Sequence, residues 1–262
     1  MVGPEAIIVD GRQVFDLMSA ALWPFLRLGA ALMVMPLIGA AVVPRRVRFV
    51  LAAALTLALA PLLPPAAMPE PLSADWVAAA VRELVTGIAI GLVLQLAFEA
   101  TAVAGELIAQ GMGLAFAQMA NPLSGVTGPL MGQMLLVTGG LLFFSHGLHL
   151  VLVELLADSF RLVPPGSAPP IADLAPVLLE FMGRVLLVGV QMALPLVVAM
   201  LVINLVFGVL GRTAPALNPL QAGLPATLFA GLLLLIVALP SMAGPFVALV
   251  GEALGVAAGW LR

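Results

Sequence analysis

Six long apolar stretches, at about residues 14–43, 47–63, 76–98, 130–156, 177–210 and 224–250, constrain this chain more than anything else in it. A hydrocarbon slab is crossed by about 20 helical residues, because a helix satisfies its own backbone polar groups where water is absent. Stretches of this length therefore predict helices at membrane depth. The remainder cannot rescue a soluble fold: 63% of the 262 residues are hydrophobic and 9% are charged, against roughly 25% charged in soluble proteins, and the mean hydropathy is +1.22. A globule of that composition could not cover its own surface. The expected class is an all-α membrane protein of about six apolar helical segments, and disordered, collagen-like and secreted scaffolds are excluded.

The breaks between stretches are rich in glycine and proline, which number 26 and 22. Proline lacks an N–H and clashes with the preceding turn, and glycine permits backbone angles that other residues avoid. Broken backbone in a bilayer is tolerated where protein or a wet cavity surrounds it, and small residues let helices approach closely. A subunit covered by neighbours is expected. Arg45, Arg46 and Arg48 form the densest basic cluster and belong on the cytoplasmic side, which places residues 61–71 and 164–176 outside, and 105–129 and Arg212 inside. Glu5, Asp10 and Asp16 stand where a signal peptide would be basic, so the first segment is expected to be retained. A net charge of −3 with dispersed arginines leaves no basic surface for nucleic acid. Cysteine is absent, which removes disulfides and thiolate chemistry.

Polar residues inside the apolar stretches are the candidate functional positions. Glu83, Gly87, Gly91, Gln95 and Glu99 recur every four residues, and Glu106 and Gln110 repeat that step. Such a small and polar row suits close crossing of a neighbouring helix, and we assign Arg27, Glu83, Gly87, Gly91, Gln95, Glu99 and Glu106 to a subunit interface. The bland reading places Glu83 and Glu99 at the two ends of one helix, near headgroups. Arg27 lies deep in the first segment and requires a partner from another helix or subunit, unless it snorkels to the surface. Glu180 and Arg184 have the spacing of a local ion pair. His146 and His149 lack a third ligand at convincing spacing, so no metal site is expected, and neither a catalytic constellation nor a cofactor motif is present. The stretch 110–122 is glycine-hinged and carries Met112, Leu114, Phe116 and Met119. It reads either as a movable plug, since apolar side chains at a constriction seal a pore by dewetting, or as an ordinary helix end packed in a core.

Together these residues resemble the flagellar biosynthetic FliR family, nearly end to end. The resemblance rests on Leu26-Arg27, Met35-Pro36-Leu37, Val43-Pro44 with Arg48, Arg82-Glu83 with Gly87 and Gly91, Gly105, and Gln110 leading to Phe116 and Asn121-Pro122. Phe143-Phe144 with His146 and His149, Asp158 through Gly166, and Gly208, Arg212, Pro215 and Asn218 complete it. It implies a subunit of the type III protein-export gate in the bacterial inner membrane, at the flagellar basal body, with parts raised toward the periplasm. Implied partners are FliP and FliQ homologues in a spiral hetero-oligomer of helical hairpins, FlhA and FlhB homologues, membrane lipid, and unfolded flagellar proteins as cargo. The family likeness also implies a FliP-like part at about 1–170, a FliQ-like part at about 171–262, and a pore plug comprising Met112, Gly113, Leu114, Phe116, Met119, Asn121 and Pro122. Asn121 replaces the family's usual Asp, and Ala216 and Pro219 depart from its pattern around Asn218. The competing readings are an injectisome counterpart of the same subunit and a small-solute secondary transporter using the echo of Asn121-Pro122-Leu123 in Asn218-Pro219-Leu220.

Overall fold

The computed structural model describes residues 11–40, 43–63, 73–114, 130–213 and 219–262, with side chains from residue 21 onward and, in the last segment, at 223 and from 225. Among these residues the fold is all helical: α1 Gly11–Val34, α2 Arg45–Leu59, a 3-10 turn Ala60–Leu62, α3 Ala74–Gly111, α4 Leu130–Ser145, α5 Leu148–Leu162, α6 Ile171–Thr213 and α7 Pro219–Trp260. The expected all-α membrane class is what is observed.

Helix boundaries depart from the apolar runs for identifiable reasons. The run 14–43 stops as helix at Val34, because Pro36 disfavours a helical residue before it and Leu37 turns to φ +66°. α3 instead continues past Phe98 for three more turns, since 99–111 contains no proline. Glu83 and Glu99 therefore lie well inside α3, and their reading as the two helix ends fails. The run 130–156 is broken at Gly147, whose φ of +71° is left-handed and whose N–H bonds the Phe144 carbonyl at 3.2 Å. α4 and α5 diverge there by 72°. Proline does not end the long helices as expected: α6 runs through Pro176 and Pro195, and α7 through Pro225, Pro240 and Pro245.

By length and composition three helices among the described residues are long and apolar enough to cross a membrane, α3, α6 and Pro225–Trp260 of α7, or four if the bent pair α4–α5 counts as one. At about 1.5 Å per residue, α2 is about 22 Å long, short of a hydrocarbon slab of about 30 Å.

Contacts cluster the chain into two compact units, one of residues 1–95, 152–175 and 257–262, the other of 96–151 and 176–256. In the first unit α1 and α2 form a hairpin, with Phe25 edge-on to Phe49 at 5.1 Å and Ala52 facing Gly29. Trp23 is buried edge-on to Trp76 at 5.7 Å. Ser73 caps α3 by accepting the Trp76 N–H at 3.1 Å. The Trp260 indole donates to the Pro170 carbonyl at 2.9 Å and ties the end of α7 to the segment before α6.

The second unit is built on close backbone approach. A Cβ on Gly105 would lie 2.3 Å from the Gly132 nitrogen, so α3 and α4 touch main chain to main chain. Phe98 meets Phe246 at 5.1 Å and Phe143 at 5.9 Å, and the Phe246 ring fills the notch left by Gly139. Gly189 of α6 lies against Ala100 and Val103 of α3. Arg184 reaches Glu252 of α7 at 3.1 Å rather than the Glu180 expected of it.

The glycine contacts make a signed prediction. Gly105→Ala pushes a methyl into backbone that cannot yield and should destabilise the protein by about 1–3 kcal/mol. Gly251→Ala, where an added Cβ meets nothing within 4 Å, should be neutral or stabilising by up to about 1 kcal/mol through helix propensity. Thermal melts of both variants in one detergent check the difference.

Candidate functional site

Arg27 and Glu83 come together in the first unit as a buried ion pair, both fully inaccessible to solvent. The Arg27 fork is spent completely. Nε and Nη2 donate to the two Glu83 carboxylate oxygens at 2.8 and 3.0 Å. Nη1 donates to the Ser159 carbonyl at 2.7 Å and to Ser159 Oγ at 3.2 Å, and Nη2 also reaches the Val163 carbonyl at 2.9 Å. The Phe160 ring lies 4.2 Å beneath the guanidinium carbon, a cation–π contact in a dry site. Glu83 takes one further bond from the Gly166 N–H at 3.3 Å. Gly166 sits at φ +83°, a left-handed conformation that an L side chain adopts only at a cost, and its carbonyl accepts from Arg82 at 2.7 Å.

The geometry explains why these residue types recur together. Only arginine offers five donors in one plane, and here they reach a carboxylate on α3 and two helix-end carbonyls of α5 at once. Desolvating a charge costs several kcal/mol, and the arrangement offsets that cost by leaving no donor unmade. Snorkelling of Arg27 is thereby excluded. Ser159, Phe160, Val163 and Gly166 entered the sequence reading only as part of a motif. Arg161, the conspicuous charge in that stretch, pairs with the exposed Asp158 outside the cluster.

The four-residue row on α3 divides. A Cβ on Gly87 would fall 2.2 Å from the Arg27 carbonyl, and one on Gly91 2.7 Å from the Ala31 carbonyl, so both glycines receive α1 of this same chain. Further along, Gln95 is half-buried, while Glu99 and Glu106 are exposed, and Gln110 donates to Glu106 at 3.1 Å.

The proposed plug begins where α3 ends. Met112 is buried, its side chain lying in a notch left by Gly231 of α7 and its N–H bonded to the Ile108 carbonyl. Gly113 closes the helix through its N–H to the Gln110 carbonyl, and Leu114 is half-buried. Asn204 of α6 donates to the Gly111 carbonyl at 3.0 Å. The root of this segment is thus pinned by two residues, Asn204 and Gly231, for which the sequence offers no signal. Phe116, Met119, Asn121 and Pro122 lie outside the described residues. His146 keeps its Nδ1 within 3.0 Å of the Leu142 carbonyl, and His149 lies against Phe144. No cluster of three metal-ligating side chains occurs among the described residues.

Breaking the pair from one side leaves a buried charge alone. Arg27→Met or Glu83→Met should each destabilise by about 3–5 kcal/mol, whereas the two together should recover much of that loss. Ser159→Ala, which removes a single acceptor, should cost about 1 kcal/mol. Unfolding midpoints of the four variants in detergent form the check, and additive losses in the double variant would contradict the pairing.

Comparison with known proteins places the chain among relatives over nearly its whole length. The family described as bacterial export proteins, family 1, matches residues 18–253. The flagellar biosynthetic protein FliR of Escherichia coli (strain K12) is 35% identical over 239 residues, covering 91% of this chain and 90% of that protein. Its namesake in Pectobacterium carotovorum is 36% identical over 222 residues, 85% of each. The namesake in Caulobacter vibrioides is 33% identical over 230 residues, 87% of this chain and 91% of that protein. With the motif residues Arg27, Glu83, Ser159, Phe160 and Val163 joined in one buried cluster and the family match running over residues 18–253, the chain belongs to the bacterial export proteins, family 1, the family of the flagellar FliR proteins.

Proposed function

We propose that this chain is a structural gate subunit of the flagellar protein export apparatus, non-catalytic, residing in the bacterial inner membrane at the basal body. It assembles with FliP and FliQ homologues around a channel for unfolded flagellar proteins, beside FlhA and FlhB homologues. The observation that carries this reading is the outer face of α6. Exposed apolar side chains run along it from Leu179 to Leu210, with Glu180, Arg184 and Gln191 exposed among them, an axial distance of about 46 Å at 1.5 Å per residue. Hydrocarbon is about 30 Å thick, and charged or amide side chains are costly against it. A face that mixes this apolar length with Glu180, Arg184 and Gln191 suits cover by protein neighbours better than by lipid alone.

The parts then take roles. Residues 171–262 contain two long helices, α6 and α7, and correspond to the FliQ-like part, with 1–170 the FliP-like part. Gln95, Glu99 and Glu106 on α3 meet neighbouring subunits, while Arg27, Glu83, Gly87 and Gly91 serve that interface from beneath by setting α1 on α3. Met112 and Gly113 hold the root of the plug, and Leu114, Phe116, Met119, Asn121 and Pro122 form its body.

Two measurements test the proposal. The chain extracted in mild detergent from its own cells should elute with FliP and FliQ homologues at a size well above 26.9 kDa; recovery as a stable lone chain would refute the gate. Deleting 115–120, which leaves Met112 and Gly113 in place, should make the assembled gate leak ions in a membrane-potential assay. An unchanged potential with assembly intact would remove the plug.

A further inference from the structure

α2 places three arginines in its first four residues, Arg45, Arg46 and Arg48. Arg48 folds back on the preceding loop and donates through Nη2 to the Ala40 and Val43 carbonyls. Arg45 and Arg46 are exposed, and among the described residues the ion pairs are Arg27–Glu83, Arg161–Asp158 and Arg184–Glu252, so neither has a carboxylate. Among the described residues this charge is uncompensated: the cations repel one another and lie at the positive end of the helix dipole.

The outward face of the same helix is apolar. Val47, Val50, Ala54 and Leu57 recur at three- and four-residue spacing and are exposed, Val50 to 64% and Leu57 to 72%. On the opposite side Ala52, Thr56 and Leu59 are buried and Ala52 faces Gly29 of α1. A soluble anion would answer the arginines and leave this face in water. An apolar protein patch would cover the face and leave the arginines unanswered. A helix too short to span the slab, cationic at one end and apolar along one side, fits an anionic leaflet, which supplies phosphate at one depth and acyl chain just beneath.

We infer that the outer face of α2 docks against anionic phospholipid, with phosphate headgroups at Arg45 and Arg46 and acyl chains along Val47, Val50 and Leu57. This surface does not depend on the export-gate reading, and it can be tested on the full chain together with any subunits that accompany it from the membrane. The absence of cysteine allows one clean probe: Val50→Cys labelled with bimane, in proteoliposomes of equal phosphatidylglycerol and phosphatidylcholine, with one or the other brominated in its acyl chains. Brominated phosphatidylglycerol should quench several-fold more strongly than brominated phosphatidylcholine. That preference should weaken when either arginine is removed, since each surface cation contributes about 1 kcal/mol toward an anionic leaflet, and vanish in the Arg45→Gln, Arg46→Gln double variant. It should also weaken in high salt. A probe at Ile236→Cys, exposed on α7, should show no preference. Equal quenching at Val50→Cys, or a preference that survives the double variant, overturns the inference. Quenching by neither lipid overturns it as well, since protein then covers the face.

Discussion

The Arg27 guanidinium sets a condition that the rest of its unit has to meet. A buried cation in an apolar chain persists only if its donors are all occupied, and here a carboxylate from α3 and carbonyls from the end of α5 supply that occupancy. Those acceptors arrive from positions 56 to 136 residues away in sequence. The pair contributes little net stability by itself, because desolvation consumes most of the Coulomb gain. Its effect is selective: any arrangement that displaces α1, α3 or the Ser159–Gly166 stretch leaves a charge unmatched in a dry site.

Close packing then follows from glycine. With lipid as solvent, helices gain nothing from hiding apolar area from one another, and contact must come from van der Waals fit. Gly87 and Gly91 bring α1 onto the α3 backbone, Gly105 brings α4 onto it, and Gly189 does so for α6. One long helix thereby receives a neighbour through a missing side chain at several points along its length. The proline count, which argued for broken helices, matters less. α6 and α7 carry proline internally without losing helix, as bilayer helices can where local adjustments satisfy the freed carbonyls.

Apolar surface is left over after this packing on both long helices. Leu179, Leu201 and Leu205 on α6 and Ile236 and Val237 on α7 are each more than 60% exposed. A helix of 43 residues is about 64 Å long, roughly twice the hydrocarbon thickness. Length and exposure together favour an environment that is part lipid and part protein, in keeping with a family of export proteins.

Hydropathy and motif by themselves determined the helical membrane class, the family, and the residue types of the buried cluster, because these depend on composition and on local order along the chain. The need of Arg27 for a partner was legible; that the partner is Glu83, on another helix, was not. Likewise Gly87 and Gly91 announced close contact without saying that α1 of the same chain makes it. Arg184 was read with its neighbour Glu180 and bonds Glu252 instead, and Asn204 and Gly231 gave no sign that they hold the end of α3. Helix ends, the bend at Gly147 and these pairings were decided only in three dimensions. Spacing along a chain sets which face a side chain occupies, whereas the identity of the helix opposite depends on packing between segments far apart in sequence.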